Sequence, residues 1–410
     1  MKQKVLNWIQ KFNTFCLLDN QQYQIQPHTQ EFIAGAGIKR RINAGGENAL
    51  DLLQQFNDQK RTWLFGHLAY ELNTRAGQSA HHDDHIQFPD LFFFEPDIII
   101  RVNENEMTIE AQDPLDIFEN IDSMPVDRPV KLQTVPAICN RLSKDEYISI
   151  IRQLQQHILR GDCYEINFCQ EFYAEKTIVD PVEVYRKLIA VSPNPFSALY
   201  RMDDKWLICA SPERFLQRSG NRIISQPIKG TSRRILTDRQ QDELMKQRLS
   251  NSQKDKSENV MVVDLVRNDL AKICKEGTVQ VEELYGVYSF PQVHQMISTV
   301  TGELKKQISF ADIIRATFPM GSMSGAPKMR VMELIAQYEK TKRGIFSGCL
   351  GYVSPSGDFD LNVVIRSIMY NALTGYLSFQ AGSGITFYSN AEQEWEECLL
   401  KAEAIKTTLS

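Results

Sequence analysis

The sequence predicts an α+β fold in which antiparallel sheets pack with helices outside them. Short strand-like runs alternate with turns over residues 1 to about 130, and the rest of the chain mixes strands with helices without an internal repeat. No G-x-G-x-x-G follows a strand pattern, so a dinucleotide-binding fold is not expected. A chain of 410 residues, 42% of them apolar, is long enough to bury a large core.

The clearest strand patterns of the N-terminal part are the runs WLFGHLAYEL (63–72) and LFFFEPDIIIRVNENEMTIE (91–110). The polar stretch between them predicts an exposed loop. This loop contains HHDDH, from His81 to His85, which could ligate a transition metal but is better explained as solvated polar residues. The proline-rich and charged stretch 120–136 predicts a connector.

Three helices are predicted from capping patterns and apolar spacing. Ser143 and Glu146 form a capping-box pattern, and apolar residues follow at helical spacing. Residues 256–277 are very apolar for a helix, which predicts that the helix is largely buried. Ser389 and Glu392 predict a second capping box at the start of the last helix.

Acidic residues on two of these helices allow a structural and a functional interpretation. Glu258 lies near the start of the predicted helix 256–277, where it either stabilises the helix dipole or binds a ligand. Glu394, Glu397 and Lys401 share one side of the last helix, because residues three and four apart are stacked. They form either a surface ion pair or a carboxylate site beside a lysine for an anionic ligand. Two carboxylates from distant segments suit magnesium, which takes few protein ligands.

Two glycines and an arginine precede the last helix. Gly382 and Gly384 lie between strand-like runs and allow backbone N–H groups to face an anion. Arg366 lies in an apolar segment that reads as a strand, so its guanidinium needs an anionic partner. That partner is either a substrate carboxylate or an internal aspartate.

The composition excludes several classes of protein. A net charge of −5 gives no electrostatic basis for binding nucleic acid. No apolar run approaches the roughly 20 residues needed to cross a bilayer, and the first residues lack a signal-peptide pattern. The eight cysteines include no C-x-x-C pair, which indicates reduced thiols. We therefore expect a cytoplasmic protein with no nucleic-acid or membrane partner.

The stretch SQPIKGTSRR (225–234) presents a single amine in an unusual setting. Lys229 lies between Pro227, which fixes its own φ, and Gly230, which allows a tight turn or close approach to a ligand. The residues alone leave three roles open for this lysine: a solvated surface charge, a phosphate clamp, or a nucleophile.

Taken together, the motifs SPERF, PIKGT, ENVMVVDLVRNDL, FPMGSMSGAPKMRVMELI, GCLGYVSPSGDFDLNVVIRS and AGSGITFYSNAEQEWEECLLKAEA resemble the chorismate-utilising enzymes in order and spacing. The resemblance is specific over residues 136–410, the expected chorismate-binding catalytic region. Residues 1–135 resemble the more variable N-terminal region of some members. The resemblance implies one large domain, with two antiparallel sheets packed as a sandwich, into which residues 1–135 are integrated.

The resemblance also implies roles for individual residues. From the residues alone, Glu213 between a proline and an arginine could equally be a salt-bridged turn residue. The implied roles are magnesium binding by Glu258 and Glu397, general acid catalysis by Glu213, nucleophilic attack by Lys229, and substrate binding by Arg366, Lys401, Gly384, Tyr352, His294 and Thr231.

Two positions separate the branches of this family. Isochorismate and salicylate synthases both have a lysine that activates water at one position of the family pattern. This sequence has Glu165 at that position, in GDCYEINF, which argues against both branches. The ammonia-using branches usually have glutamine there, so Glu165 is a departure whose role stays open. The second position is Lys229, because anthranilate synthases read PIAGT and aminodeoxychorismate synthases read PIKGT, as here.

The resemblance to the PIKGT branch implies a reaction. A lysine amine that adds to the ring carbon ortho to the carboxylate of chorismate blocks that carbon. Ammonia then enters at the carbon that loses the hydroxyl, giving 4-amino-4-deoxychorismate for 4-aminobenzoate and folate synthesis. The attacking amine must be neutral. We expect Arg233, Arg234 and the nearby metal to lower the pKa of Lys229 by like-charge repulsion.

Ammonia needs a source. The sequence contains no glutaminase elbow of the form G-x-C-x-G, and the resemblance implies a separate glutamine amidotransferase subunit as partner. Two alternatives to the PIKGT reaction stay open. One is an anthranilate synthase with an atypical loop, and the other is a catalytically silent subunit that regulates a partner.

Overall fold

Two large antiparallel sheets face each other, and helices cover their outer surfaces. The α+β sandwich expected from the sequence is therefore confirmed. The computed structural model describes residues 1–23, 30–73, 82–103, 106–126, 136–291 and 293–410.

The described residues form 21 strands. In chain order they are β1 (Thr14–Asp19), β2 (Phe32–Ala36), β3 (Arg40–Ala44), β4 (Leu64–Leu68), β5 (Leu91–Glu95), β6 (Ile98–Val102), β7 (Met107–Glu110), β8 (Cys139–Asn140), β9 (Glu165–Ala174), β10 (Phe196–Met202), β11 (Lys205–Ser211), β12 (Arg214–Ser219), β13 (Arg222–Gln226), β14 (Ile228–Arg233), β15 (Gln280–Ser289), β16 (Val293–Glu303), β17 (Gly325–Ala326), β18 (Cys349–Val353), β19 (Phe359–Val363), β20 (Ser367–Asn371) and β21 (Tyr376–Ile385).

One sheet has 11 strands in the order β17-β9-β21-β20-β11-β10-β1-β2-β6-β7, with β8 also paired to β9. The other has 10 strands in the order β14-β16-β13-β12-β19-β18-β4-β5-β3, with β15 also paired to β16. The strand pairs are antiparallel throughout. The strands before residue 111 contribute to both sheets, so the N-terminal part is built into the sandwich.

Ten α-helices are present in the described part of the chain. They are α1 (Lys2–Ile9), α2 (Ala49–Gln59), α3 (Pro114–Asp122), α4 (Lys144–Leu159), α5 (Pro181–Val191), α6 (Arg239–Asn251), α7 (Gln253–Ile273), α8 (Phe310–Thr317), α9 (Lys328–Tyr338) and α10 (Ala391–Leu409). Two short 3₁₀ helices cover Tyr70–Asn73 and Gly321–Met323.

Close contacts hold the two sheets together. A Cβ added to Gly35 of β2 would lie 2.7 Å from the ring of Phe65 on β4, so glycine here lets the sheets approach. His67 of β4 reaches across to Tyr200 of β10, with Nδ1 3.1 Å from the hydroxyl oxygen. Burial lowers the pKa of His67 to about 4, which keeps its ring neutral.

A second apolar core lies between the 11-stranded sheet and helices α1, α4, α5 and α10. The ring of Tyr147 on α4 packs 5.3 Å from Trp395 of α10 and 5.3 Å from Phe168 of β9. These contacts fix α10 against the sheet, and thereby fix the acidic residues that α10 carries.

The helix starts agree with the sequence in one case and differ in two. The capping box of Ser143 and Glu146 is confirmed at the start of α4. Helix α10 begins one residue later than expected, because Asn390 is its N-cap and accepts a hydrogen bond from the backbone N–H of Gln393 at 3.0 Å. Ser389 is not the cap, since its hydroxyl accepts from the N–H of Thr386.

Helix α7 begins at Gln253, after the N-cap Ser252, so it starts before the predicted segment 256–277. Glu258 therefore lies in its second turn, beyond the strongest influence of the helix dipole. The helix is buried on one side only, since Val260 is 37% exposed. The prediction of a largely buried helix is wrong for that outer side.

The runs 63–72 and 91–110 contain β4 and the three strands β5 to β7, as predicted. In the HHDDH loop, His81 lies outside the described residues. Asp84 accepts backbone hydrogen bonds from the next residues, and the ring of His85 lies 4.6 Å from that of Tyr376. Of the connector 120–136, residues 127–135 lie outside the described residues.

All eight cysteines are free thiols, as the absence of a C-x-x-C pair predicts. Among the helices described, none combines the length and the apolar character that crossing a membrane requires.

Candidate active site

Lys229 lies on β14, the edge strand of the 10-stranded sheet, and points to the other sheet. Its Nζ donates a hydrogen bond to Oε1 of Glu165 at 2.8 Å, and the two side chains are 11% and 2% exposed. Glu165 begins β9, so this buried ion pair joins the two sheets. Gly230 has a φ of 93°, and a Cβ there would lie 2.9 Å from Asp255, so this position in β14 requires glycine.

Gly384 makes room for the ion pair. It lies on β21, opposite Asn167 of β9. A Cβ at Gly384 would lie 2.6 Å from Oε1 of Glu165 and 2.9 Å from Nζ of Lys229. Any larger residue would therefore displace the carboxylate and the ammonium.

Three glutamates from two helices form a carboxylate cluster around one ammonium group. Lys254 places its Nζ 3.6 Å from Glu394, 3.8 Å from Glu258 and 4.0 Å from Glu397. Glu394 is 2% exposed, and its Oε2 has no hydrogen-bond partner among the described residues. Lys401 also pairs with Glu397 at 2.7 Å, so two lysines balance part of the negative charge of the cluster.

The two glutamates that the resemblance assigns to a metal differ in their ionisation. Burial raises the pKa of Glu258 to about 7, against the opposing effect of Lys229. Burial also acts on Glu397, but Lys401 at 2.7 Å outweighs it, so the pKa of Glu397 lies below its ordinary value. A further cation at the cluster would favour the ionised form of Glu258.

The donor set of the cluster suits a hard divalent cation. Its oxygens are carboxylates, which magnesium prefers, and they come from helices α7 and α10. As the side chains stand, no three His, Cys, Asp or Glu groups of the described residues are close enough together to hold an ion. The ammonium of Lys254 instead lies among the three carboxylates.

Glu213 lies in the short link between β11 and β12 and is 4% exposed. Its Oε1 accepts a hydrogen bond from the hydroxyl of Ser322 at 2.6 Å. Burial raises the pKa of Glu213 to about 7, although Ser322 and Lys229 act in the opposite direction. Near neutral pH a large fraction of this carboxyl group is protonated and able to donate a proton.

The electrostatic surroundings of Lys229 are the opposite of those expected from the sequence. Burial alone would lower its pKa, but the carboxylates of Glu165 and Glu258 raise it well above its ordinary value. Arg234 is bound to Asp242 at 2.8 Å. The expectation that neighbouring arginines lower the pKa of Lys229 is therefore wrong, because the residues that surround its ammonium are acidic.

Arg366 and Lys401 lie next to the carboxylate cluster. Arg366 follows β19 and precedes β20, with a φ of 52°, so it lies outside the strand in which the sequence placed it. Its Nη1 donates to the backbone oxygen of Lys401 at 3.4 Å, and none of the described residues forms an ion pair with its guanidinium. Lys401 donates to the backbone oxygen of Gly382 at 2.9 Å and to Glu397.

The structure does not bring Tyr352 or His294 to this cluster. Tyr352 on β18 points between the sheets, where its ring packs 5.5 Å from Trp63 and it lines a separate cavity with Asn20 and Pro195. Both ring nitrogens of His294 have protein partners, Ser289 at 2.9 Å and Asp242 at 3.2 Å.

Thr231 is exposed, two residues beyond Lys229 on β14, and pairs across the ladder with Gln295 of β16. The side chain of Gln295 is buried, and its Oε1 has no hydrogen-bond partner in the part of the chain that the structure describes.

Sequence reasoning missed two residues of the site and left the roles of two others undefined. Ser322 and Lys254 were missed: Ser322 lies in the quoted motif FPMGSMSGAPKMRVMELI, where nothing distinguishes it from its neighbours, and Lys254 lies in none of the quoted motifs. The helical spacing grouped Glu394 with Glu397 and Lys401 but gave Glu394 no role of its own. Glu165 was noticed only as a departure from the family pattern.

Comparisons with known proteins show which family the chain resembles. The chain is 36% identical over 346 residues to aminodeoxychorismate synthase component 1 of Klebsiella aerogenes, covering 83% of this chain and 75% of that protein. It is 38% identical over 266 residues to the Escherichia coli (strain K12) protein of the same name, covering 65% of this chain and 58% of that protein. Among solved structures, anthranilate synthase component I from Streptococcus pneumoniae TIGR4 has a TM-score of 0.80 at 23% identity and covers 94% of this chain and 95% of its own.

The menaquinone-specific isochorismate synthase MenF from Escherichia coli also has a TM-score of 0.80, at 18% identity, and covers 99% of this chain and 91% of its own. At these identities the two structures bear on the fold alone. The family model described as chorismate binding enzyme matches residues 13–407, nearly the whole length of the chain. The chain therefore belongs to the chorismate binding enzyme family.

Proposed function

We propose that the chain is an aminodeoxychorismate synthase component I, which converts chorismate and ammonia to 4-amino-4-deoxychorismate for 4-aminobenzoate and folate synthesis. The single observation that carries the proposal is the position of Lys229. Its amine is buried beside Gly384 and Glu165, within the electrostatic reach of Glu213 and Glu258. The names of the Klebsiella aerogenes and Escherichia coli relatives support the same activity.

The proposed reaction assigns the chemistry to two side chains. The nitrogen of Lys229 forms a bond to the ring carbon ortho to the carboxylate, and the bond to the ring hydroxyl breaks. Glu213, protonated in part near neutral pH, donates its proton so that the hydroxyl leaves as water. Ammonia then forms a bond to the carbon that lost the hydroxyl, and Lys229 departs.

The burial of Lys229 argues against a role as a solvated surface charge. A lysine that only balanced surface charge would be solvated, whereas the side chain of Lys229 is 11% exposed.

The carboxylates of chorismate require cationic partners. Arg366 and Lys401 supply two cations beside the cluster, and the guanidinium of Arg366 is available for a bidentate contact. Glu258 and Glu397, with Glu394 beside them, would hold magnesium. That ion would supply positive charge for a carboxylate of the substrate.

We further propose that a separate glutamine amidotransferase subunit delivers the ammonia. The name component 1, which the bacterial relatives carry, supports a partner component. Purified alone, the chain should accordingly use ammonium salts.

Substitution of Lys229 tests the proposed function. The Lys229→Ala variant should lose most formation of the para amine, and Lys229→Arg should not restore it, because a guanidinium stays protonated and cannot attack. The products formed from chorismate and ammonium salt are separated by chromatography and identified by mass spectrometry. An active Lys229→Arg enzyme that makes the para product would refute the nucleophile.

The wild-type product distinguishes the proposed function from its alternatives. Formation of the ortho amine, 2-aminobenzoate, would identify an anthranilate synthase with an atypical loop. An intact fold with no turnover of chorismate, with or without magnesium, would identify a silent regulatory subunit.

A further inference from the structure

The carboxylate of Glu165 contacts the amine of Lys229 through one of its two oxygens. Its Oε1 accepts the hydrogen bond from Lys229 Nζ at 2.8 Å. Its Oε2 is buried without a hydrogen-bond partner among the described residues, and the whole residue is 2% exposed. A buried carboxylate oxygen left without a donor is costly, which is a common property of groups that act on protons.

We propose that Glu165 takes the proton from the ammonium of Lys229 before the attack and returns it when the lysine leaves. This inference rests on the proposed function, in which Lys229 is the nucleophile. It assigns a role to the residue that departs from the usual glutamine of the ammonia-using branches.

The charges around Lys229 favour its ammonium form. Glu165 on β9, Glu258 on α7, Glu397 on α10 and Glu213 beside β12 all face the amine and stabilise its protonated form. A stored ammonium cannot attack a ring carbon, so its proton has to move to a neighbouring group. In the part of the chain that the structure describes, the hydrogen bond donated by Nζ goes to Glu165.

The other three carboxyl groups are less suited to this role. Glu213 must itself be protonated to release the hydroxyl, and it is bonded to Ser322. Glu258 and Glu397 belong to the cluster around Lys254, where a metal ion would engage their oxygens. Glu165 alone combines direct contact with Nζ and an oxygen outside that cluster.

The protons and bonds balance over one cycle. A proton passes from Nζ to Glu165, the nitrogen pair forms the bond to carbon, and the hydroxyl leaves as water with the proton of Glu213. Ammonia then adds, its extra proton returns to Glu213, and the bond between carbon and Nζ breaks with the electron pair on nitrogen. Glu165 finally gives its proton back to the free amine of Lys229, and both carboxyl groups are restored.

A fixed counter-ion would behave in the opposite way. Replacing Glu165 with glutamine removes one negative charge, which lowers the pKa of Lys229 and makes the neutral amine more abundant at neutral pH. If Glu165 were only a counter-ion, the Glu165→Gln variant would react as fast as the wild type or faster, with its optimum shifted to lower pH. If Glu165 moves the proton, the same variant is slower.

The test measures para-product formation by the full chain with chorismate, magnesium and saturating ammonium salt, as a function of pH. The Glu165→Gln variant should lose about 100-fold or more in kcat. Its KM for chorismate should change little, and its residual rate should rise with pH as hydroxide takes over the proton. The Glu165→Asp variant keeps a carboxylate one methylene shorter, and should retain more activity than glutamine. Thermal unfolding of each variant verifies the fold.

A Glu165→Gln variant with a kcat close to the wild-type value, or with its optimum moved to lower pH, would overturn the role of Glu165. If the Glu165→Gln variant fails to fold, the Glu165→Asp variant is compared with a folded Glu165→Ala variant instead. A kcat of Glu165→Asp below that of Glu165→Ala would also overturn the role of Glu165. Failure of the proposed function has a different signature, since the wild type would then make the ortho product or remain active as Lys229→Arg.

Discussion

Replacing Glu213 with glutamine should change both the pH dependence of stability and the chemical step. Glu213 is 4% exposed, and its pKa is raised from 4.5 to about 7. Between these two values the carboxyl group is protonated in the folded protein and ionised in the unfolded chain. The folded state therefore binds more protons, and the free energy of unfolding of the wild type falls as pH rises through this window.

The size of the effect follows from the two pKa values. The change from 4.5 to about 7 corresponds to about 3 kcal/mol, since a tenfold change in an equilibrium is about 1.4 kcal/mol. Glutamine does not titrate. The free energy of unfolding of Glu213→Gln, relative to that of the wild type, should therefore rise by up to about 3 kcal/mol between pH 4.5 and pH 8. Glu258, whose pKa is also about 7, is present in both proteins and cancels in the comparison.

Urea unfolding of both proteins at several pH values measures this difference. In turnover assays the variant should lose about 100-fold or more in kcat, because a general acid acts mainly in the transition state. As a control, Glu396→Gln changes an exposed carboxylate of α10 and should alter neither property. Identical pH dependence of unfolding in wild type and Glu213→Gln, or a variant defective only in chorismate binding, would refute the reasoning.

Replacing Glu258 or Glu397 with glutamine should abolish magnesium-dependent turnover, whereas Glu396→Gln should retain it. Magnesium titration of chelator-treated enzyme measures this, and full activity in chelator would contradict it. A Cβ at Gly384 would lie 2.6 Å from the carboxylate of Glu165, so Gly384→Ala should lower kcat about 100-fold, and a wild-type rate would disprove the crowding. The lone chain should use ammonium salts at raised pH and be nearly inert with glutamine, and release of glutamate from glutamine would exclude a required amidotransferase partner.

Local features of the fold were accessible from the sequence because they depend on neighbouring residues. The capping box of Ser143 and Glu146 was predictable since both partners lie within one turn. The start of α10 was not, because Ser389 and Asn390 are both good caps. The loop after Ile385, in which Ser389 bonds to Thr386, decided between them.

The candidate site shows the same division at longer range. The residue types came from the sequence: an amine between a proline and a glycine, and glutamates on two helices. The orientation of Tyr352 and His294 could not be predicted from the sequence. A strand presents alternate residues to opposite faces, and the packing of the sheets decides which face meets the site. Tyr352 points between the sheets, and His294 is held by Ser289 and Asp242.

The sequence by itself determined the antiparallel α+β architecture, the free cysteines and the presence of a lysine, carboxylates and an arginine able to handle chorismate. Only the tertiary structure decided that Lys229 meets Glu165, 64 residues away along the chain and in the other sheet. That contact reverses the charge expected around the amine, from arginines to carboxylates. The reason is physical: the pKa of a buried group is set by burial and by the charges within a few ångströms, and both depend on how distant segments pack.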